Sequence, residues 1–424
     1  MHRVVAVLAA LTLWLPFPLH AQSLRSRVSD LFRFGECGEA LCLQVNAAVH
    51  GLHYVPSASA ATGAVLEFFT DAIANSASNI PISSSSGGVS FSFRGGAPVT
   101  TAVSSGPIFA ERAQTLGRGR LLTGANVTAV SFATFRGLPL DQLIFNFPHQ
   151  NVGSPVYGDP ELENDVIQVR ARVNLDLFVT TAFLNYGLLE NVDVGVAIPL
   201  VRTSLSGTST GEVLPFGPET PHFFGTQQSP SLSATGSTQG SSVGLGDIAA
   251  RVKVALVQGD SSGLSFFGDV RLPTGDEEEL RGAGDWSLRA LGVYSARRGG
   301  FSPHVNAGAL IRGDTRQNHA LLATLGFDQL LSPSITLAVD AIGEYQLGDN
   351  ETDIPPPVEI AAPFPRTVMR TNLPDAKDHT VRGAIGVKYS RPGGLAALIN
   401  ALVPIRHGSL QPRVAWTAGL EYSF

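Results

Sequence analysis

Val414-Ala415-Trp416-Thr417-Ala418-Gly419-Leu420-Glu421-Tyr422-Ser423-Phe424 is the stretch whose reading decides the fold. Side chains alternate between the two faces of an extended strand. Val414, Trp416, Ala418, Leu420, Tyr422 and Phe424 therefore share one face, and Ala415, Thr417, Gly419, Glu421 and Ser423 share the other. An apolar, aromatic-rimmed face running to a terminal Phe predicts a wall strand of a transmembrane β-barrel, with lipid on the oily side.

The other end of the chain points to the same compartment. Arg3 supplies positive charge, Val4 to Leu15 form a short apolar run, and Leu19-His20-Ala21 offers a small-residue cleavage site. Residues 1–21 therefore read as a secretory signal peptide. No later apolar run approaches the roughly 20 residues that a spanning helix needs. An exported chain of this kind enters a bilayer only as a closed barrel, because open strand edges leave backbone groups unpaired in hydrocarbon. The expected compartment is the bacterial outer membrane. There the wall would meet lipid and lipopolysaccharide, and Phe424 would meet barrel-assembly machinery.

Composition supports this reading. Charged residues make up 15% of the chain, against about 25% in ordinary soluble proteins. The net charge of −6 argues against nucleic acid as a partner. Cys37 and Cys42 lie close together, and an oxidising periplasm favours a small structural disulfide loop between them. Their spacing is not C-x-x-C and no His follows, which disfavours redox or haem chemistry.

Alternation marks further strands. Over Ile167 to Thr180, Ile167, Val169, Ala171, Val173, Leu175, Leu177 and Val179 form one row, expected to face lipid. The opposite row is polar apart from Phe178. Val192 to Leu200 repeats the pattern with Asp193 inside, as do 245–257 and Leu264 to Leu272. Further candidates are 286–296, 301–313, 319–331, 335–347, 379–390, 395–405 and 411–424, with 119–136 as a less regular first strand. The fold class is all-β, a transmembrane antiparallel barrel of about 12 strands over 119–424. Fourteen would result if 88–94 and 98–104 added a hairpin. Short joints at 187–191, 259–263, 297–300, 332–334 and 391–394 alternate with mostly longer ones, including 137–164, 207–244, 275–285 and 348–378. That asymmetry separates periplasmic turns from extracellular loops.

Residues 22–118 differ in character and read as a partly helical periplasmic extension or a plug inside the barrel. Residues 58–75 present Val65, Phe68, Phe69 and Ile73 on one helical face.

Gly244-Leu245-Gly246-Asp247 opens a strand carrying Lys253, and the next strand ends in Leu272-Pro273-Thr274-Gly275-Asp276. With the turn Gly187 to Gly195 and the ending Gly419 to Phe424, these motifs resemble the outer-membrane family named for the meta-pathway of phenol degradation. The resemblance covers roughly 165–424 and implies a transporter of small solutes. More loosely, the chain is similar to outer-membrane channels for fatty acids and aromatic hydrocarbons, although 22–118 does not visibly match their hatch.

The polar faces place Arg170, Arg172, Asp176, Asp193, Asp247, Arg251, Lys253, Asp269, Arg271, Arg289, Arg312, Asp328, Asp340, Glu344, Arg382, Lys388 and Glu421 toward the lumen. They read either as a pore lining that sets selectivity or as an ion-pair network filling a narrow barrel. Asp276-Glu277-Glu278-Glu279 reads as a solvated loop, or as carboxylates for divalent ions at lipopolysaccharide. His50 and His53 lack a third ligand, so neither a metal nor a cofactor is expected.

Passive transport of small hydrophobic or aromatic solutes is the leading functional expectation. The alternative is a structural or surface-interaction barrel using long loops. A lipid hydrolase would need a Ser–His pair with a supporting carboxylate or amide. Ser204, Ser287, His319 and His379 are of suitable type, but no spacing unites them and G-x-S-x-G is absent, so no enzyme is expected.

Overall fold

The computed structural model describes residues 22–32, 34–35, 41–45, 67, 70–73, 91–94, 97–100, 109–148, 165–215, 222–313, 317–349, 354, 356–361 and 364–424. The signal-peptide reading, the Cys37–Cys42 pairing and the His50/His53 pair involve side chains outside this set. Of the helix expected over 58–75, positions 67 and 70–73 are described, and they are helical.

Twelve strands form the wall. They are β1 (Leu121–Phe135), β2 (Val166–Leu189), β3 (Val192–Leu214), and β4, whose two segments Ser233–Leu245 and Ala249–Gln258 flank a break at Gly246-Asp247-Ile248. Then come β5 (Ser262–Arg271), β6 (Ser287–Ala296), β7 (Phe301–Arg312), β8 (Ala320–Ser332), β9 (Ile335–Gln346), β10 (Thr380–Ser390), β11 (Leu395–Arg406) and β12 (Leu410–Ser423). Each pairs antiparallel with its neighbour in sequence. The wall closes where β12 pairs β1, with Leu420 opposite Ala125 and Ser423 opposite Leu122. The segments Phe91–Arg94 and Ala97–Thr100 do pair, but as a separate two-stranded sheet. The barrel therefore has twelve strands, not fourteen.

The closing strand has the expected faces: Trp416, Ala418, Leu420, Tyr422 and Phe424 are exposed, while Ala415, Thr417 and Glu421 are buried. Along β2, exposed apolar side chains run from Phe178 through Ala182, Leu184 and Tyr186 to Leu188. About ten steps of ~3.4 Å, tilted by ~40°, give ~26 Å, the height of an outer-membrane apolar band. The opposite row of β2 at this level carries Thr181 and Asn185, both buried. Tyr294, Tyr389 and Tyr422 lie exposed at the periplasmic edge, and Trp286, Tyr345 and Trp416 nearer the other edge. Such rings anchor a barrel at both interfaces.

Over Ile167–Thr180 the assignment from alternation is inverted. Ile167, Val169, Ala171, Val173, Leu175, Leu177 and Val179 are buried, not lipid-facing, and Arg170, Arg172 and Asp176 are exposed on the outer surface. These three side chains do not line the lumen. Strands β2, β3 and the first segment of β4 rise well beyond the apolar band as a fin, where the outer medium is water. Residues 207–244, expected as a loop, are largely this fin: Ser233 to Leu245 pair with Glu212 to Leu200. The strand Leu143–Pro148, within the expected loop 137–164, extends the fin on the other side of β2. A small hairpin, Val358–Ile360 with Arg366–Val368, lies within 348–378.

The inner face of the fin is oily because a helix packs there. Helix α1 (Leu24–Asp30) starts at Ser23, whose hydroxyl accepts from Ser26 N at 3.2 Å. That capping bond satisfies one of the free N–H groups of the first turn. Leu24, Val28, Leu31 and Phe32 are buried in one cluster with Val169, Val173, Leu175, Leu177, Val201 and Leu205. Phe32 meets Phe145 edge-on at 4.7 Å between ring centres. Gly207 permits the approach, since a Cβ there would press on the Leu31 side chain.

Candidate functional site in the barrel lumen

Residues 109–119 run inside the wall toward the periplasmic start of β1, and each step has a partner. Gly119 N donates to Gly187 O at 2.8 Å, and Thr115 Oγ1 donates to Glu190 O at 2.8 Å, both at the periplasmic end. Leu116 N donates to the Asp193 carboxylate at 2.9 and 3.1 Å. Ala113 N donates to Ser295 Oγ at 3.1 Å. The Asn306 amide grips the Glu111 backbone from both sides, accepting from its N at 2.7 Å and donating to its O at 2.9 Å. The side chain thus stands in for a neighbouring strand, so the backbone of the segment remains satisfied away from solvent.

Charges complete this filling. Glu111 takes Lys253 Nζ at 2.7 Å, with the lysine side chain 1% exposed. Arg112 pairs with Asp328, and His304 bridges Asp328 and Asp340, with Nδ1 at 3.6 Å from the first and Nε2 at 2.6 Å from the second. Lys388 and Glu421, on β10 and β12, pair at 2.7 Å. Arg251, Arg289 and Arg271 converge on Asp269 at 3.0, 3.3 and 3.7 Å. Buried pairs of this kind roughly balance attraction against desolvation, but removing one member strands the other at a cost of about 3–5 kcal/mol.

Nearer the extracellular end the lumen opens into a chamber of about 80 Å³. At ~10–15 Å³ each, several waters fit. Val130, Phe132, Leu402, Leu410 and Ala415 give it an apolar wall, and Phe109 of the inner segment lines it too. Arg312, Glu344, Arg382 and Gln411 form its polar wall. Arg312 Nη2 reaches Glu344 Oε1 at 2.6 Å, and Arg382 Nε donates to Gln411 Oε1 at 3.2 Å.

Of the residues expected in the lumen, Asp193, Arg251, Lys253, Asp269, Arg289, Arg312, Asp328, Asp340, Lys388 and Glu421 sit on inward faces, joined by Arg271, Glu344 and Arg382. Asp247 is buried but has a different task. Its carboxylate accepts from Gly275 N and Ala283 N, each at 2.9 Å. Thr274 Oγ1 donates to Gly246 O at 2.7 Å and accepts from Ile248 N at 3.0 Å. The two motifs of 244–276 thus clamp each other and fix the loop that follows.

That loop holds the inner helix. Glu277 pairs with Arg25 at 2.5 Å, Arg25 N donates to Glu278 O at 2.9 Å, and Ser23 Oγ donates to Glu278 Oε2 at 3.0 Å. Arg25 also pairs with Asp71. Burial by itself would lower the Arg25 pKa, but Asp71, then Glu277 and Glu278, outweigh it and raise it above the ordinary value. The acidic run stays partly solvated, with Asp276 and Glu278 exposed, and also anchors the helix through Glu277 and Glu278.

Asn306 and His304 were not singled out from the sequence, although alternation along β7 puts both on its inward face. Glu111 and Arg112 precede the first strand, where no period marks them. His319 and His379 accept from Arg312 N at 3.2 Å and Gln346 N at 3.1 Å, while Ser204 lies in a groove on the outer surface with Phe178 and Trp416.

The family model described as "Putative MetA-pathway of phenol degradation" matches residues 158–356, in agreement with the resemblance carried by the 244–276 motifs. No curated protein matches the chain. Among solved structures, the COG4313 outer membrane channel from Pseudomonas putida F1 aligns with a TM-score of 0.43 and 11% identity, over 74% of this chain and 98% of that one. A FadL homologue from Pseudomonas aeruginosa aligns with a TM-score of 0.32 and 10% identity, over 72% and 89%. The TodX monoaromatic hydrocarbon channel gives 0.30 and 13%, over 74% and 92%. The closed twelve-strand wall, its outward apolar band and its two rims of aromatic rings are those of an outer-membrane β-barrel.

Proposed function

We propose that this protein is a passive channel for small hydrophobic or aromatic solutes, with residues 22–118 acting as an internal plug. The observation that carries the reading is the chamber: an apolar-walled space in the extracellular half of the lumen, lined in part by Phe109 of the inner segment. Below it, residues 111–119 fill the passage through hydrogen bonds and ion pairs rather than as a wall strand. Such contacts can exchange for water, so the segment can shift without opening the barrel. The aromatic class of cargo draws on the phenol-degradation family match and on the apolar chamber wall.

The inward charges then govern which solutes pass. The exposed Phe424 would be the contact for barrel-assembly machinery, and the polar outer face of the fin would meet lipopolysaccharide. Planar-bilayer conductance and toluene influx into proteoliposomes, with and without residues 22–118, test the proposal. Deletion should raise both, with retained heat-modifiable migration reporting an intact barrel. No permeability in either form would eliminate the channel.

A further inference from the structure

The two arginines of the upper chamber are unequally supplied with negative charge. Arg312 takes the Glu344 carboxylate at 2.6 Å. Arg382 hydrogen-bonds the neutral Gln411 amide, at 3.2 Å from its Nε, and is attracted by that same Glu344 carboxylate only through space. Among the described residues, no ion pair or hydrogen bond reaches its two terminal amino groups. Arg382 nevertheless lines the chamber together with an apolar wall that includes Phe132 and Leu402.

Of the two lining carboxylates, Asp378 pairs with Arg136 at 2.8 Å and Glu344 alone serves both Arg312 and Arg382, which leaves one positive charge of the chamber uncompensated. The planar fork of a guanidinium matches a carboxylate by two parallel hydrogen bonds, and charge-assisted bonds of this kind are about twice as strong as neutral ones. A neutral ring entering the chamber would gain apolar contact and leave Arg382 as it is. A ring bearing a carboxylate would gain both.

We infer that the upper chamber is a binding subsite for small aromatic carboxylates, with the carboxylate on Arg382 and the ring on the wall formed by Phe132, Leu402 and Phe109. This deepens the channel reading and rests on it for the route of entry. The small chamber favours a single ring over a long acyl chain. The subsite makes the protein selective for organic anions among solutes of equal size, whereas an apolar lining alone would not distinguish them.

Titration calorimetry on the full-length protein in detergent, with p-toluate and its isosteric neutral analogue p-toluamide, provides the test. The wild type should bind the anion roughly tenfold or more tightly, the difference that a charged hydrogen bond supplies. Arg382→Gln should bring the two affinities together by weakening p-toluate while leaving p-toluamide unchanged, and Arg382→Lys should recover part of the preference. Equal binding of the two ligands by the wild type, or an undiminished preference in Arg382→Gln, would overturn the subsite. If Arg382→Gln does not fold, the wild-type comparison and Arg382→Lys still decide. Proteoliposome influx separates the two readings. Toluene entry without any p-toluate preference leaves the channel standing and removes the subsite. A p-toluate preference in binding with no influx of either compound leaves the subsite standing and removes the channel.

Discussion

Below Phe178, strand β2 turns Ala182, Leu184, Tyr186 and Leu188 outward and keeps Thr181 and Asn185 inside; above it, Arg170, Arg172, Asn174 and Asp176 face out and Val169, Val173, Leu175 and Leu177 face in. The backbone continues without interruption and the pairing with β3 keeps its register across the change. What changes is the pair of media on either side. The lower half separates hydrocarbon from a polar, ion-paired lumen, and the upper half separates water from an oily core built on α1. A strand's alternation identifies two faces, and only its surroundings determine which one is covered by what.

The comparison breaks most severely where the lower lumen is deprived of a charge. Lys253→Met should deprive the buried Glu111 carboxylate of its lysine at 2.7 Å, costing about 3–5 kcal/mol. Denaturant unfolding in lipid vesicles should show that loss, and adding Glu111→Gln should restore most of it. On the outer face, Leu184→Arg puts a cation near the middle of the apolar band and should cost about 2–4 kcal/mol in the same assay. Asn174→Arg, on the same row above the band, should stay within about 0.5 kcal/mol of wild type, as surface changes do. Equal costs for these two would mean that lipid covers both halves. The boundary should fall between the two: Phe178→Arg should cost about 0–1 kcal/mol, as expected near an interface.

The barrel was legible because its strands repeat one simple constraint. Strand number, closure and the inward placement of Asp193, Lys253 and Asp269 all follow from alternation. Arg170, Arg172 and Asp176 were misplaced because the pattern over Ile167–Thr180 reads equally well with either face inward. Phe178 was the available signal, an apolar residue on the polar row where the outer medium changes. Residues 233–245 lack strand-forming composition, being rich in Ser, Thr and Gly, yet pairing with β3 makes them a strand. Context outweighs intrinsic β preference here. The 244–276 motifs were recognisable without revealing that Asp247 clamps a loop, because its partners are backbone N–H groups that carry no sequence signature. Glu277 likewise could not announce Arg25, some 250 positions away.

The wall is sealed by Phe424 N donating to Leu121 O, between residues about 300 apart along the polypeptide. Every shorter translocated length of chain therefore presents two raw rims and must be kept from self-association by something other than its own folding. Residues 109–119 emerge before any of the staves that will surround them. The filling leads directly into the first stave at Leu121, so it is tethered to the rim that the last stave must meet.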